Sequence, residues 1–167
     1  MNALLKNFKE SQFTIVGFPC NQFGHQEPGD NSTEILDGLQ YVRPGQGFKP
    51  HSNLHMMIKS DVNGDNETKV YTYLKASCSQ TSTATFDPRE SFWEPIHVND
   101  IIWNFEKFLV SQQGVPLFRF QPAVEPFDLV EIIKVLMTPS VNLARQEKEL
   151  NILLKDLDIV ILDRIKM

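Results

Sequence analysis

The sequence predicts an α/β fold, and three stretches carry that expectation. Phe13, Ile15, Val16 and Phe18 form a short run of β-branched and aromatic residues that reads as a buried strand, ended by Pro19, which has no ladder donor. Ile101 to Val110, the turn Ser111-Gln112-Gln113-Gly114 and Val115 to Phe120 read as an antiparallel hairpin. Glu125 to Met137 reads as a helix with Leu129, Ile132, Ile133 and Leu136 on its apolar face and Pro126 in its first turn. With 167 residues, 41% of them hydrophobic and 22% charged, the chain suffices for one core and is too short for two comfortable ones.

The other elements follow in order. Met1 to Glu10 places Leu4, Leu5 and Phe8 on one face of an amphipathic helix. Asn31 to Leu39 reads as a short helix with Ile35 and Leu39 inward and Asp30 or Asn31 as cap, ending in the loop Arg43 to Gly47. Phe48 to Ser60 is irregular, with Leu54 and Met57 available to pack on the body. Asp61-Val62-Asn63-Gly64-Asp65 fails as a calcium loop, because its glycine stands fourth rather than sixth and no glutamate occupies the twelfth place, so a tight turn is expected. Glu67 to Ala76 then reads as a helix with Val70, Tyr73 and Leu74 inward, and Ser79 to Ala84 as a surface loop. From Glu149 onward, Leu150, Leu153, Leu154, Leu157, Val160 and Ile161 recur at helical spacing, with Ile159 to Leu162 also open to pairing as an edge strand.

Composition excludes several classes. The net charge of −5 and scattered basic residues argue against nucleic acid as a partner, and no apolar run reaches membrane length. His51 and His55 stand four apart, but no glutamate follows the first and no third ligand stands at a motif spacing, so no metal is expected. Cys20 and Cys78 are the only cysteines, with no CxxC and too few for a disulfide scaffold. Cys20 reads as a small buried hydrophobe or as a reactive thiol. Two glycosylation triplets, Asn31-Ser32-Thr33 and Asn66-Glu67-Thr68, have meaning only in a secreted chain.

Past Pro19, the residues Cys20, Asn21, Gln22, Gly24, His25, Gln26 and Glu27 crowd polar side chains at the carboxyl end of a strand, the usual place for a site in an open α/β sheet. The plain alternative is a loop whose amides satisfy backbone groups. The stretch FPCNQFGHQEPG resembles the signature of the glutathione peroxidases, and QYVRPGQGF, DVNG and WNFEKFLV follow in that family's order and at about its spacing. The likeness runs from about Asn2 to Met137 and is greatest to the secreted animal members, which share GDN after QEP and the long loop around YVRPG.

The resemblance implies a thioredoxin-like fold lacking its amino-terminal central strand, with helices on both sides. A domain at 1–137 would be followed by an atypical helical tail at 138–167. The family places a strand, and a turn bearing the peroxide-reactive selenocysteine or cysteine, ahead of the first helix; a selenocysteine codon read as a stop is one expected origin of such a sequence. A groove is then expected between the strand ending at Phe18 and the one near Phe105 to Val110. Residue by residue, the family's catalytic glutamine matches Gln26, its tryptophan Trp103 and the next asparagine Asn104. Arg43 and Arg119 resemble positions near glutathione, whose carboxylates a guanidinium pairs with bidentately. Cys20 is the possible substitute thiol. Without the resemblance, Trp103 reads as a core aromatic and either arginine as a surface residue holding a loop. The family also implies glutathione and hydroperoxides as substrates, no cofactor, a homo-oligomer of tetramer type, and an extracellular location without a signal peptide in these residues, with the cytoplasm as the alternative.

Overall fold

A computed structural model describes residues 1–80, 87, 89, 91–139 and 143–156. The described elements are mixed α/β. They run α1 (Asn2–Leu5), β1 (Ile15–Gly17), α2 (Ser32–Asp37) continued by a π-helical turn (Gly38–Val42), β2 (Leu54–Met56), α3 (Lys69–Ser77), β3 (Lys107–Val110), β4 (Pro116–Phe120), a 3-10 turn (Pro126–Leu129), α4 (Val130–Met137) and α5 (Leu143–Asp156). Strand β1 pairs in parallel with β2, Ile15 opposite Leu54, and β3 pairs with β4 in the expected hairpin, Lys107 opposite Phe120. The two pairs form separate sheets.

Local chemistry explains where these elements differ from their sequence patterns. The first helix stops at Leu5 because the Asn7 amide donates back to the Ala3 carbonyl at 2.7 Å, competing for the helix's last acceptors. Phe8 nevertheless packs, its ring 5.0 Å from that of Phe13. Asn31 caps α2 as expected, its Oδ1 accepting the Glu34 N–H at 3.0 Å. The stretch expected to be irregular contains β2. Strand β3 begins at Lys107 rather than Ile101, since the Ile101 backbone is bonded by Asn63 and the Ile102 N–H by Glu106. In α3 the expected inward face is corrected: Val70 and Tyr73 are exposed, and Tyr71, Leu74 and Lys75 turn inward. Tyr71 meets the rings of Phe18 and Phe108 edge-on at 5.3 and 6.3 Å.

The larger core gathers Leu4, Phe118, Phe120, Leu129, Val130, Ile132 and Ile133 with Leu150 and Leu154 of α5. Ile15 of β1 and Leu109 of β3 pack against this same cluster. Helix α5 therefore shares the body's core. It begins at Leu143, ahead of the expected Glu149, and Gln146 anchors it by donating to the Val135 carbonyl at 2.6 Å. The Ser79–Ala84 loop, for all but its first two residues, and Leu157, Val160, Ile161 and the Ile159–Leu162 strand alternative lie outside the described residues.

Candidate active site

The polar turn after β1 is built around Gln22, which is buried. Its Oε1 accepts the backbone N–H groups of Val62 and Asn63, each at 3.0 Å, and its Nε2 donates to the Asn63 carbonyl at 2.9 Å. Asn63 continues the chain of bonds: its Nδ2 donates to the Ile101 carbonyl at 2.8 Å and its Oδ1 accepts the Ile101 N–H at 2.9 Å. Three segments remote in sequence are thereby fixed to one another by amides that leave little polar surface unsatisfied. The Asp61–Asp65 turn is tight as expected. Gly64 sits at φ +78, where an added β-carbon would lie 2.7 Å from the Glu94 carbonyl oxygen.

Lys75 extends the network. Its ammonium pairs with Glu67 and with Asp100 at 2.8 Å and donates to Asn63 Oδ1 at 3.1 Å. Asp100 Oδ2 also accepts from the Trp93 indole and the His97 backbone, each at 2.8 Å. Next along the chain, Glu106 accepts the Ile102 N–H at 2.9 Å with one oxygen and Arg119 Nε at 2.7 Å with the other. The loop between Ile102 and Glu106 is thus held at both ends. It carries Trp103 and Asn104, followed by Phe105 at φ +64, a backbone region that a bulky residue rarely occupies and that is costly to hold.

Asn104 Nδ2 donates to Gln26 Oε1 at 2.9 Å. A β-carbon on Gly24, at φ +64, would lie 3.6 Å from Gln26 Nε2 and 3.7 Å from Trp103 Cη2, so both side chains border the same short stretch of backbone. The Trp103 ring lies 6.3 Å from that of the buried Phe23 while 48% of the residue stays exposed. Gln26, Trp103 and Asn104 are therefore assembled at one place, past the end of β1.

The remaining candidates fall elsewhere. Arg43 is exposed, just after the π-helical turn. Arg119, expected near glutathione, is an internal residue. Its side chain is 1% exposed, Nε is paired with Glu106, its two other nitrogens donate to the Asn99 and Asp100 carbonyls at 2.9 and 3.0 Å, and the guanidinium lies 5.3 Å from the Phe108 ring centre. All three guanidinium nitrogens are thus engaged with groups inside the domain. Cys20 is half-buried, its thiol bonded weakly to Gln22 Oε1 at 3.5 Å, and burial pushes its pKa up, which opposes thiolate formation. Cys78 is likewise raised by burial. His51 and His55 do not share a helix face, since His55 lies in β2 and His51 in the turn before it.

The glutathione peroxidase family model matches residues 1–75. Over 120 residues the chain is 55% identical to the epididymal secretory glutathione peroxidase of Mus musculus, covering 72% of this chain and 53% of that protein. The chain belongs to the glutathione peroxidase family. Glutathione peroxidase 3 of Bos taurus is 54% identical over 120 residues, covering 72% of this chain and 52% of that one. The chain thus spans about half the length of the curated peroxidases it matches. The crystal structure of T. cruzi GPX1 aligns at a TM-score of 0.49 with 26% identity, covering 81% of this chain and 67% of that one. Among the described residues of this peroxidase relative, no helix is long and apolar enough to cross a membrane.

Gln22, Asn63, Lys75, Asp100 and Glu106 hold the loops of this peroxidase-like site in place. Gln22, Asn63 and Glu106 stand within the stretches FPCNQFGHQEPG, DVNG and WNFEKFLV, yet their bonding roles were not read from the sequence; Lys75 and Asp100 stand in none of these stretches.

Proposed function

We propose that this chain supplies the hydrogen-bonding half of a glutathione peroxidase active site, in a protein that reduces hydrogen peroxide and organic hydroperoxides with glutathione and so protects against oxidative stress. The carrying observation is the Asn104–Gln26 bond at 2.9 Å beside Trp103. In the proposed reaction a selenolate or thiolate attacks one peroxide oxygen, the O–O bond breaks, and the departing oxygen takes a proton to leave as water or alcohol. The resulting selenenic or sulfenic acid is reduced by a first thiol, releasing water, and a second thiol frees the chalcogen with formation of the disulfide.

The chain's own residues act on charge in that sequence. Asn104 holds the Gln26 carbonyl oxygen, which leaves Gln26 Nε2 available as a donor, and the Trp103 indole offers a second neutral donor. Both favour the charged chalcogenolate and the developing oxyanion without placing a competing charge in the site. Arg43, exposed and flexible in reach, suits a glutathione carboxylate; Arg119 is not part of this proposal. The nucleophile itself belongs, on the family resemblance, to a turn outside these 167 residues, and the raised pKa of Cys20 makes it a poor substitute. The names of two of the most similar relatives, epididymal secretory glutathione peroxidases, favour an extracellular product. Joining the resembling strand and reactive turn to this chain should give glutathione-dependent peroxide reduction that Gln26→Ala and Trp103→Phe each impair; full activity in both variants would remove these side chains from the site.

A further inference from the structure

We infer that Phe92, seated on the His25 ring, is a specificity-determining residue that with Trp103 takes the hydrocarbon part of an organic hydroperoxide, an inference that rests on the peroxidase reading above. Phe92 keeps 51% of its surface exposed, yet it is fixed from beneath. Its ring centre lies 4.1 Å from that of His25, with the two planes inclined at 59°. His25 stands directly before Gln26, at φ +51 and just after Gly24 at φ +64, so the backbone passes through the left-handed region at both residues. Asn21 closes this turn. Its Oδ1 accepts the Glu27 N–H at 3.0 Å, and its amide nitrogen lies 3.4 Å from His25 Nδ1.

Trp93, the next residue along from Phe92, ties the same segment to the site. Its indole donates to Asp100 Oδ2 at 2.8 Å, and its ring lies 5.8 Å from that of Phe23, which in turn has the Trp103 ring 6.3 Å away. The four residues Phe23 to Gln26 therefore meet both segments: Phe92 and Trp93 from one, Trp103 and Asn104 from the other. Two half-exposed aromatic side chains thus border the turn that carries the Gln26 amide. Hydrogen peroxide has no carbon and gains nothing from such rings. The alkyl or aryl carbons of a larger hydroperoxide lose apolar surface to water against them. The phenyl ring of Phe92 has no hydrogen-bonding group, so it adds affinity by carbon contact alone and leaves the peroxide oxygens to the amide and indole donors.

The nitrogen-labelled 167-residue protein should be titrated with cumyl alcohol, which has the carbon frame of cumene hydroperoxide without the O–O bond and so binds without oxidising the chain. Saturable shifts of the Gln26 side-chain amide and Trp103 indole signals are expected. Affinity should fall about 3–10-fold in Phe92→Ala, the worth of one aromatic contact, and be kept in Phe92→Tyr. His25→Ala, which removes the seat and leaves Phe92 in place, should lower it in the same direction. Shifts that do not saturate, or parent affinity in both Phe92→Ala and His25→Ala, overturn the inference. In the chain joined to the reactive turn, Phe92→Ala should lower the ratio of kcat/KM for cumene hydroperoxide to that for hydrogen peroxide about 3–10-fold. A joined chain that reduces both peroxides at a ratio Phe92→Ala does not change overturns the inference and leaves the peroxidase reading standing. A joined chain that reduces neither, while cumyl alcohol still binds through Phe92, leaves the aromatic subsite standing and overturns the peroxidase reading.

Discussion

Asn104 and Gln26, 78 residues apart in sequence, are joined side chain to side chain at 2.9 Å. The bond fixes the Gln26 amide through its oxygen, so the two residues act as one unit. In the chain bearing the peroxide-reactive residue, Gln26→Ala and Asn104→Ala should each lower kcat/KM for peroxide by ~100-fold, typical of losing one oxyanion-type donor. The double variant should cost little more than either single one. Because both groups lie at the surface, the unfolding free energy should move by less than about 0.5 kcal/mol. Stopped-flow peroxide reduction and urea melts on the same preparations check both halves.

Glu106 and Arg119 should behave oppositely. Both side chains are 1% exposed and paired at 2.7 Å, so removing either partner strands a buried charge. Glu106→Leu or Arg119→Met should cost roughly 3–5 kcal/mol, with the double replacement Glu106→Leu/Arg119→Met costing less than either single change. Chemical denaturation of the four chains gives the cycle. A selective rise in KM for glutathione in Arg119→Met, at unchanged stability, would restore the substrate role that its burial denies.

Leu154 is fully buried among the side chains of α4, β4 and α1. Leu154→Ala should destabilise the protein by about 2–5 kcal/mol, measured as a shift in the urea midpoint at constant slope. A tail that merely hung from the domain would show no shift.

These contrasts show what the sequence could disclose. The presence of the first strand, though not its burial, since Val16 is exposed, the hairpin around Ser111-Gly114 and the cap at Asn31 were legible because each depends on near neighbours: an apolar run, turn chemistry, one side chain and the N–H three residues on. Gln26, Trp103 and Asn104 were legible only through the family motif. The pairing of Ile15 with Leu54 was not, since a parallel strand finds its partner through a long crossover and both runs are short. Arg119 was read as a surface residue or a substrate contact because a cation in sequence suggests exposure, and Lys75 drew no reading of its own. Their burial is decided by Glu106, Asp100 and Glu67, which reach them from other elements.

Tyr71 gives the fold a pH limit. Burial first, then the neighbouring Cys20 and Glu106, raises its pKa from 10.0 to about 12. Between those values unfolding releases a proton, so stability present below pH 10 is lost as pH rises towards 12, by about 2–3 kcal/mol. Tyr71→Phe should remove this part of the slope when urea melts at pH 9 and 11.5 are compared with the parent chain. An unchanged slope in Tyr71→Phe would place the phenol in contact with water.

The account's central claim is that this chain holds donors for a charge that none of its own residues develops. Purified 167-residue protein, mixed with hydrogen peroxide and glutathione, should oxidise glutathione no faster than the protein-free mixture, because the Cys20 thiol is pushed up by burial and held against Gln22. Turnover above that background which Cys20→Ser abolishes and Cys78→Ser leaves intact would contradict the claim and make Cys20 the nucleophile.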